Sequence, residues 1–213
     1  MPKKSDVASG RALGLPPGID EDDIGQDDKK YSTTNPVVLK LIGRWLTVVR
    51  DAIGPDPGVV VDVGTGAGYA AERTVPSGIP IVGIEYRFGK IHAGMARIET
   101  LAGVVGDAGL LPIRNRVAET VTCIEVLEHL TDPEVAVGEL ARITRGHCVV
   151  SVPWEPMFRL GNLGRGKNVR RLGNDPEHVQ QFNPSRLRTL LGRHFRDVSI
   201  RTCLPWIVAV ARP

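Results

Sequence analysis

Aromatic residues are scarce in this chain, with Phe, Trp and Tyr together making up 5% of 213 residues. Holding single-stranded nucleic acid by base stacking needs such rings, so that mode of binding has little support. Cysteine is equally sparse: Cys123, Cys148 and Cys203 are odd in number, widely spaced and set in apolar runs. That pattern excludes a disulfide or zinc framework and predicts buried thiols in a reducing compartment. No stretch approaches the roughly 18–20 uninterrupted apolar residues of a membrane span, and the N-terminus lacks the apolar core of a signal peptide. A cytoplasmic protein without a membrane span is the expectation. Nor is there a large excess of one charge, since the net value of +3 is too small to imply nucleic-acid binding by itself.

What is present is enough apolar sequence, 42% of residues, to build one domain's core. The first thirty residues have no hydrophobic period and carry Lys3, Lys4, a Pro16-Pro17-Gly18 break and the acids Asp20 to Asp23. They read as a mobile tail, 1–30, before a single domain spanning 31–213. Asn35-Pro36 is a helix start, and Val37, Leu41, Trp45 and Val48 recur at helical spacing, so a helix over about 36–52 is expected. Gly54 to Gly58 stops it, and the apolar run Val59 to Val63 reads as a strand buried on both faces. From there strands and helices alternate: helix 68–75, strand Ile81 to Glu85, helix 89–100, short strand Val104-Val105, strand Val121 to Val126, helix 133–144 and strand Cys148 to Val152. Such alternation predicts an α/β fold with a doubly wound, mostly parallel sheet. The last third adds a basic loop at 159–174, a helix near 184–193, and two strands around 197–203 and 206–211 that can pair as an antiparallel hairpin.

The chemistry starts at Asp62-Val63-Gly64-Thr65-Gly66-Ala67-Gly68, which joins the first strand to a helix. Glycines there let the backbone turn sharply and admit a ligand close to its amides. A dinucleotide-binding dehydrogenase would show G-x-G-x-x-G, whereas the spacing here is G-x-G-x-G with Asp62 before it. That carboxylate would repel a pyrophosphate and suits a ligand bearing an amino group and a sulfonium. Glu85, at the end of the second strand and about 20 residues on, is placed to accept from ribose hydroxyls. Asp107, in Gly106-Asp107-Ala108, follows the third strand and can accept from an adenine amine.

With these acids at three successive strand ends, the chain resembles the class I S-adenosylmethionine-dependent methyltransferases, particularly the group containing the ubiquinone-type O-methyltransferases. The segments VVVDVGTGAGYAAE, IVGIEYR, GDAGLLPI and CIEVLEHLTDP carry the resemblance, which runs from about Val59 to Val152. It implies a seven-stranded sheet whose final strand is antiparallel, and S-adenosylmethionine as cofactor. Carried over by position, Asp62, Gly64, Gly66, Glu85 and Asp107 would contact it, together with Thr65, Gly68, Tyr86, Ala108 and Glu125. One departure is Glu119, where many relatives have aspartate before the fourth strand.

Glu125-Val126-Leu127-Glu128-His129 ends the fourth strand, on the ligand-binding edge of an open sheet. Its E-x-x-E-H pattern resembles that of two metal-assisted groups, the small-RNA 3′-terminal 2′-O-methyltransferases and the ubiquinone-type enzymes. The resemblance implies a site for Mg²⁺ or another divalent metal made by Glu125, Glu128, His129 and the downstream His178. In other relatives the same residues merely line the pocket. Without a metal, His129 with Glu128 beside it would do the acid–base work. The 159–171 stretch carries Arg159, Arg165, Lys167, Arg170 and Arg171 and no acid, with Trp154, Met157 and Phe158 just before it. It reads as a lid over an acceptor with an apolar body and an anionic portion. A small-molecule or lipid-linked acceptor, O-methylated, is therefore expected ahead of nucleic acid such as an RNA 2′-hydroxyl. A non-catalytic cofactor-binding subunit stays open, and the sequence fixes no oligomeric state.

Overall fold

Asn35 and Pro36 begin a helix, α1 (Pro36–Ile53), by the means their residue types predict. The Asn35 side chain accepts from the amides of Val37 and Val38, at 3.0 and 3.3 Å, and Pro36 sits where no amide partner is needed. The structure, a computed structural model, describes residues 31–154 and 179–213. The expected 1–30 tail, the 159–174 loop and His178 lie outside those residues. After α1 the chain forms β1 (Val60–Val63), α2 (Tyr69–Thr74), β2 (Ile81–Glu85), α3 (Phe88–Arg97), β3 (Leu101–Val105) and β4 (Ala118–Ile124). A 3₁₀ turn (Leu127–His129), α4 (Pro133–Ile143), β5 (Thr144–Pro153), α5 (Pro184–Leu191), β6 (Asp197–Cys203) and β7 (Trp206–Arg212) follow.

The strands make one seven-stranded sheet in the order β3-β2-β1-β4-β5-β7-β6. The pairs from β3 through β5 are parallel, and β7 runs antiparallel to both β5 and β6. The expected fold class, with its antiparallel final strand, is the one observed. The hairpin expected at the sheet edge is present, but of its two strands β6 alone lies at the edge, because β7 inserts between β6 and β5. Alternate strand residues feed two cores, as the period of two requires. Val60, Val149 and Val208 pack toward α1, α2 and α3, while Val61, Val63, Val150 and Ile207 pack toward α4 and α5. All three cysteines are free thiols buried in these layers, and burial pushes the Cys123 and Cys148 thiols up from their ordinary range.

Several boundaries differ from expectation, among them the start of β4 at Ala118 rather than Val121. β3 begins three residues before Val104, because Leu101, Ala102 and Gly103 pair in register with Ile81, Val82 and Gly83 although Gly103 dilutes the apolar signal. β5 starts at Thr144 rather than Cys148, since its less apolar first residues still pair with β4. β4 stops at Ile124 instead of Val126, because Glu125 turns into the left-handed region with φ +58°. This last difference shapes the site. Glu119, the departure noted above, lies near the start of β4, away from the strand end that carries Glu125, and its carboxylate takes Arg145 at 2.7 Å.

Candidate active site

The carboxyl ends of β1, β2 and β4 and the turn after β3 enclose a cavity of about 640 Å³. Its floor is the glycine loop. Gly64, Gly66 and Gly68 have φ of +77°, +56° and +80°, so each uses the conformation that glycine alone adopts without strain. The amides of Gly64 and Thr65 donate to the carbonyl of Ile84 at 2.7 and 3.2 Å, which pins the loop to β2. A side chain at Gly64 would drive into Val126, so the loop packs directly beneath the end of β4. Gly83 on β2 is equally constrained, because an added Cβ would lie 2.7 Å from the Thr65 hydroxyl and 2.8 Å from Leu101. Sequence reasoning missed this residue, although an isolated glycine inside a strand pattern does signal a close approach.

The expected cofactor acids take different places. Glu85 lines the cavity and accepts from the amides of Gly66 and Arg87, both at 2.9 Å. Each of its oxygens keeps a second acceptor direction, so two hydroxyls can be received beside these bonds. Asp107 also lines the cavity, shaped by an Asx turn in which the Gly109 amide donates to it at 2.7 Å. Asp62 does not line the cavity. It is 5% exposed beneath the loop, where the Thr122 hydroxyl donates to its carboxylate at 2.6 Å and the Thr65 hydroxyl to its backbone carbonyl at 2.8 Å. Burial raises its pKa to about 6; the Thr122 and Thr65 hydroxyls pull the other way, and the nearby Glu85 charge adds to the rise. Gly68 likewise sits outside the lining and starts α2. Thr65, Tyr86 and Ala108 are at the wall as expected.

At the end of β4 the E-x-x-E-H residues separate. The backbone does turn into a 3₁₀ helix, but the turn directs Glu125 and His129 to the cavity wall and withdraws Glu128, which is 1% exposed and absent from the lining. Among the described residues no three His, Cys, Asp or Glu side chains are grouped to hold a metal ion. The expected convergence of Glu125, Glu128 and His129 is therefore corrected: the left-handed Glu125 and the tight turn after it spread the three apart. The fourth expected ligand, His178, lies outside the described residues. The carbonyl of Glu128 accepts from the amides of Val179 and Gln180 at 2.9 and 3.0 Å. Its backbone thus anchors the segment at Val179 and Gln180 to the end of β4.

Several lining residues carried no motif. Tyr31 and Tyr69 stack at 5.2 Å on the rim, and the Arg97 guanidinium lies 3.8 Å over Tyr69 while its Nε donates to the Ala67 carbonyl of the loop at 3.1 Å. Arg87 and Lys90 border the side nearest Glu85. Their spacing after β2 is that of an ordinary helix start, which is why the sequence did not mark them.

A doubly wound sheet whose strand ends bring a glycine loop and the carboxylates of Glu85 and Asp107 to one cavity is the arrangement expected from the sequence for an S-adenosylmethionine site. Residues 39–194 match the family model described as "Methyltransferase domain", and the chain belongs to that family. Its fold is that of solved S-adenosylmethionine-dependent methyltransferases, and its sequence is similar to that of demethylmenaquinone methyltransferases. A demethylmenaquinone methyltransferase of Renibacterium salmoninarum is 32% identical over 133 residues, covering 61% of this chain and 56% of that protein. One from Roseiflexus is 30% identical over 164 residues, covering 69% and 68%. The chain thus spans less than two thirds of the first of these relatives. Among solved structures, magnesium protoporphyrin IX methyltransferase from Synechocystis, with SAH bound, superposes with a TM-score of 0.64 at 15% identity, over 89% of this chain and 96% of that one. No helix among the described residues is long and apolar enough to cross a membrane.

Proposed function

We propose that this enzyme methylates a small, lipid-linked acceptor carrying a phenolic hydroxyl, with His129 taking the hydroxyl proton and no metal assisting. The observation that carries the reading is the position of His129, the only imidazole among the described residues that line the cavity, on the strand end next to the glycine loop. The kinship to demethylmenaquinone methyltransferases supports the acceptor class. In the reaction an acceptor electron pair forms the bond to the methyl carbon, the carbon–sulfur bond breaks, and the pair stays on sulfur as neutral S-adenosylhomocysteine. Because the sulfonium is already activated, the protein's task is alignment and removal of one proton. Deprotonating a phenol enriches its oxygen, and by delocalisation the neighbouring ring carbon, so one base serves attack through either atom.

Methyl transfer from labelled cofactor into a cell extract separated into small molecules, lipids, RNA and protein tests this. Label should enter the lipid fraction, and His129→Ala should lower turnover on the order of a hundredfold or more with little change in cofactor affinity. Label appearing in RNA or protein would overturn the acceptor, and an undiminished His129→Ala rate would overturn the base.

A further inference from the structure

The turn between β6 and β7, Leu204-Pro205, stands at the cavity end of the sheet. Pro153 at the end of β5 pairs with Trp206 of β7, and the Trp154 amide donates to the Pro205 carbonyl at 2.8 Å. The start of α1 lies at the same end, since Tyr31, five residues before Pro36, lines the cavity. A buried aromatic stack ties these two places together. Trp45 of α1 lies on Trp206 with ring centres 4.8 Å apart, and its indole N–H donates to the Ser151 hydroxyl of β5 at 2.8 Å.

Over this stack the surface is aliphatic and cationic. Val37, Lys40 and Arg44 recur at i, i+3 and i+7, which puts them on one face of α1, and all three are exposed. Arg44 lies close to the hairpin: burial raises the Cys203 thiol, and the Arg44 charge opposes that rise. Arg201 shares the Cys203 side of β6, two residues along, and is exposed. Val37 is 65% exposed and Leu204 46%. Singly exposed aliphatic residues are ordinary, but these two stand among three cations, and neither 36–50 nor 198–213 contains an acid. That pairing matches the headgroup layer of a bilayer, where anionic phosphates take the cations and the acyl boundary takes the aliphatic tips. RNA fits this face less well, because Trp45 and Trp206 are 0% and 4% exposed and offer a base nothing to stack on.

We propose that this end of the molecule docks on a bilayer containing anionic phospholipid, through Val37 and Leu204 together with Lys40, Arg44 and Arg201. Docking so placed sets the cavity end of the sheet toward acceptors held in the membrane. That consequence rests on the lipid-linked acceptor proposed above; the docking itself rests only on the face.

Co-sedimentation of the full chain with phosphatidylcholine vesicles, with and without about a third phosphatidylglycerol, reads the docking without any acceptor. The protein should bind the mixed vesicles well above the neutral ones, and raising salt from about 0.1 to about 0.5 M should weaken that binding severalfold. Arg44→Glu and Arg201→Glu should each lower partition about tenfold, and Leu204→Ser about threefold, with the melting temperature held as the check on folding. Lys40→Glu, on the outer side of α1, should show the same loss if Arg44→Glu does not fold. Arg196→Glu makes an equal charge change just before β6, at the opposite end of the sheet, and should leave partition within about twofold. No binding to the mixed vesicles, or equal losses from Arg196→Glu and Arg201→Glu, would overturn the proposal. So would tighter binding of an RNA oligonucleotide that the same reversals abolish. Vesicle binding that follows these variants while methyl label stays out of the lipid fraction would uphold the docking and overturn the acceptor alone.

Discussion

Glu85 and Glu125 close the same cavity from the two strands that flank β1, yet they are fixed by different means. Glu85 is held by backbone amides, from Gly66 in the loop before it and Arg87 just after it. Glu125 is held by an indole 81 residues away in sequence, on a strand of opposite direction. Amide donors come with any chain that takes the loop conformation, so the Glu85 side follows once the glycines set that conformation. The Glu125 side depends on β7 inserting beside β5 and on Trp206 packing against α1. The Glu85 side of the cavity is therefore local in construction, and the Glu125 side is not.

That contrast can be broken most sharply at the loop. Gly64→Ala must strain a φ of +77° and push into Val126, which should cost about 2–4 kcal/mol of stability and abolish cofactor binding. A thermal melt with calorimetry reads both, and an unshifted melting temperature would show that the loop yields more readily than its geometry implies.

Asp62 gives a smaller effect with a distinctive pH dependence. Its carboxyl is raised from 3.8 to about 6, chiefly by burial, so between those values the folded protein holds a proton that the unfolded chain has released. Stability contributed by this group is present at low pH and is lost as pH rises through that window, costing about 3 kcal/mol above it. Asp62→Asn, which can still accept from Thr122, should be more stable than the wild type at pH 7 by up to that amount and equal to it below pH 4. Denaturant titrations of both proteins across pH 4 to 7 check this, and a constant difference would sink it.

The smallest expected effect is none. Exhaustive chelation should leave methyl transfer intact, because Glu125, Glu128 and His129 are not grouped around a metal. Loss of activity in chelator with recovery on adding a divalent ion would show that the acceptor side is assembled differently.

Much of the Glu85 side was legible because its signals are contiguous. The alternation of apolar runs with capped helices, the glycine spacing from Gly64 to Gly68, and Glu85 and Asp107 at strand ends all depend on neighbours a few residues apart. Asp62 was read at the right strand end but with its side chain in the cavity. Whether a carboxylate at a strand end faces solvent or turns beneath the loop is set by what packs beside it, here Thr122 on β4. Likewise the E-x-x-E-H string identified the correct strand end without revealing that Glu128 turns inward.

By itself the sequence determined the alternating α/β layers, the glycine loop and the acids of β2 and β3, since each follows from local periodicity and backbone freedom. Only the tertiary structure decided which carboxylates reach the cavity and what holds them, because Trp206, Trp45 and Ser151 meet Glu125 through strand order and packing between segments far apart in the chain.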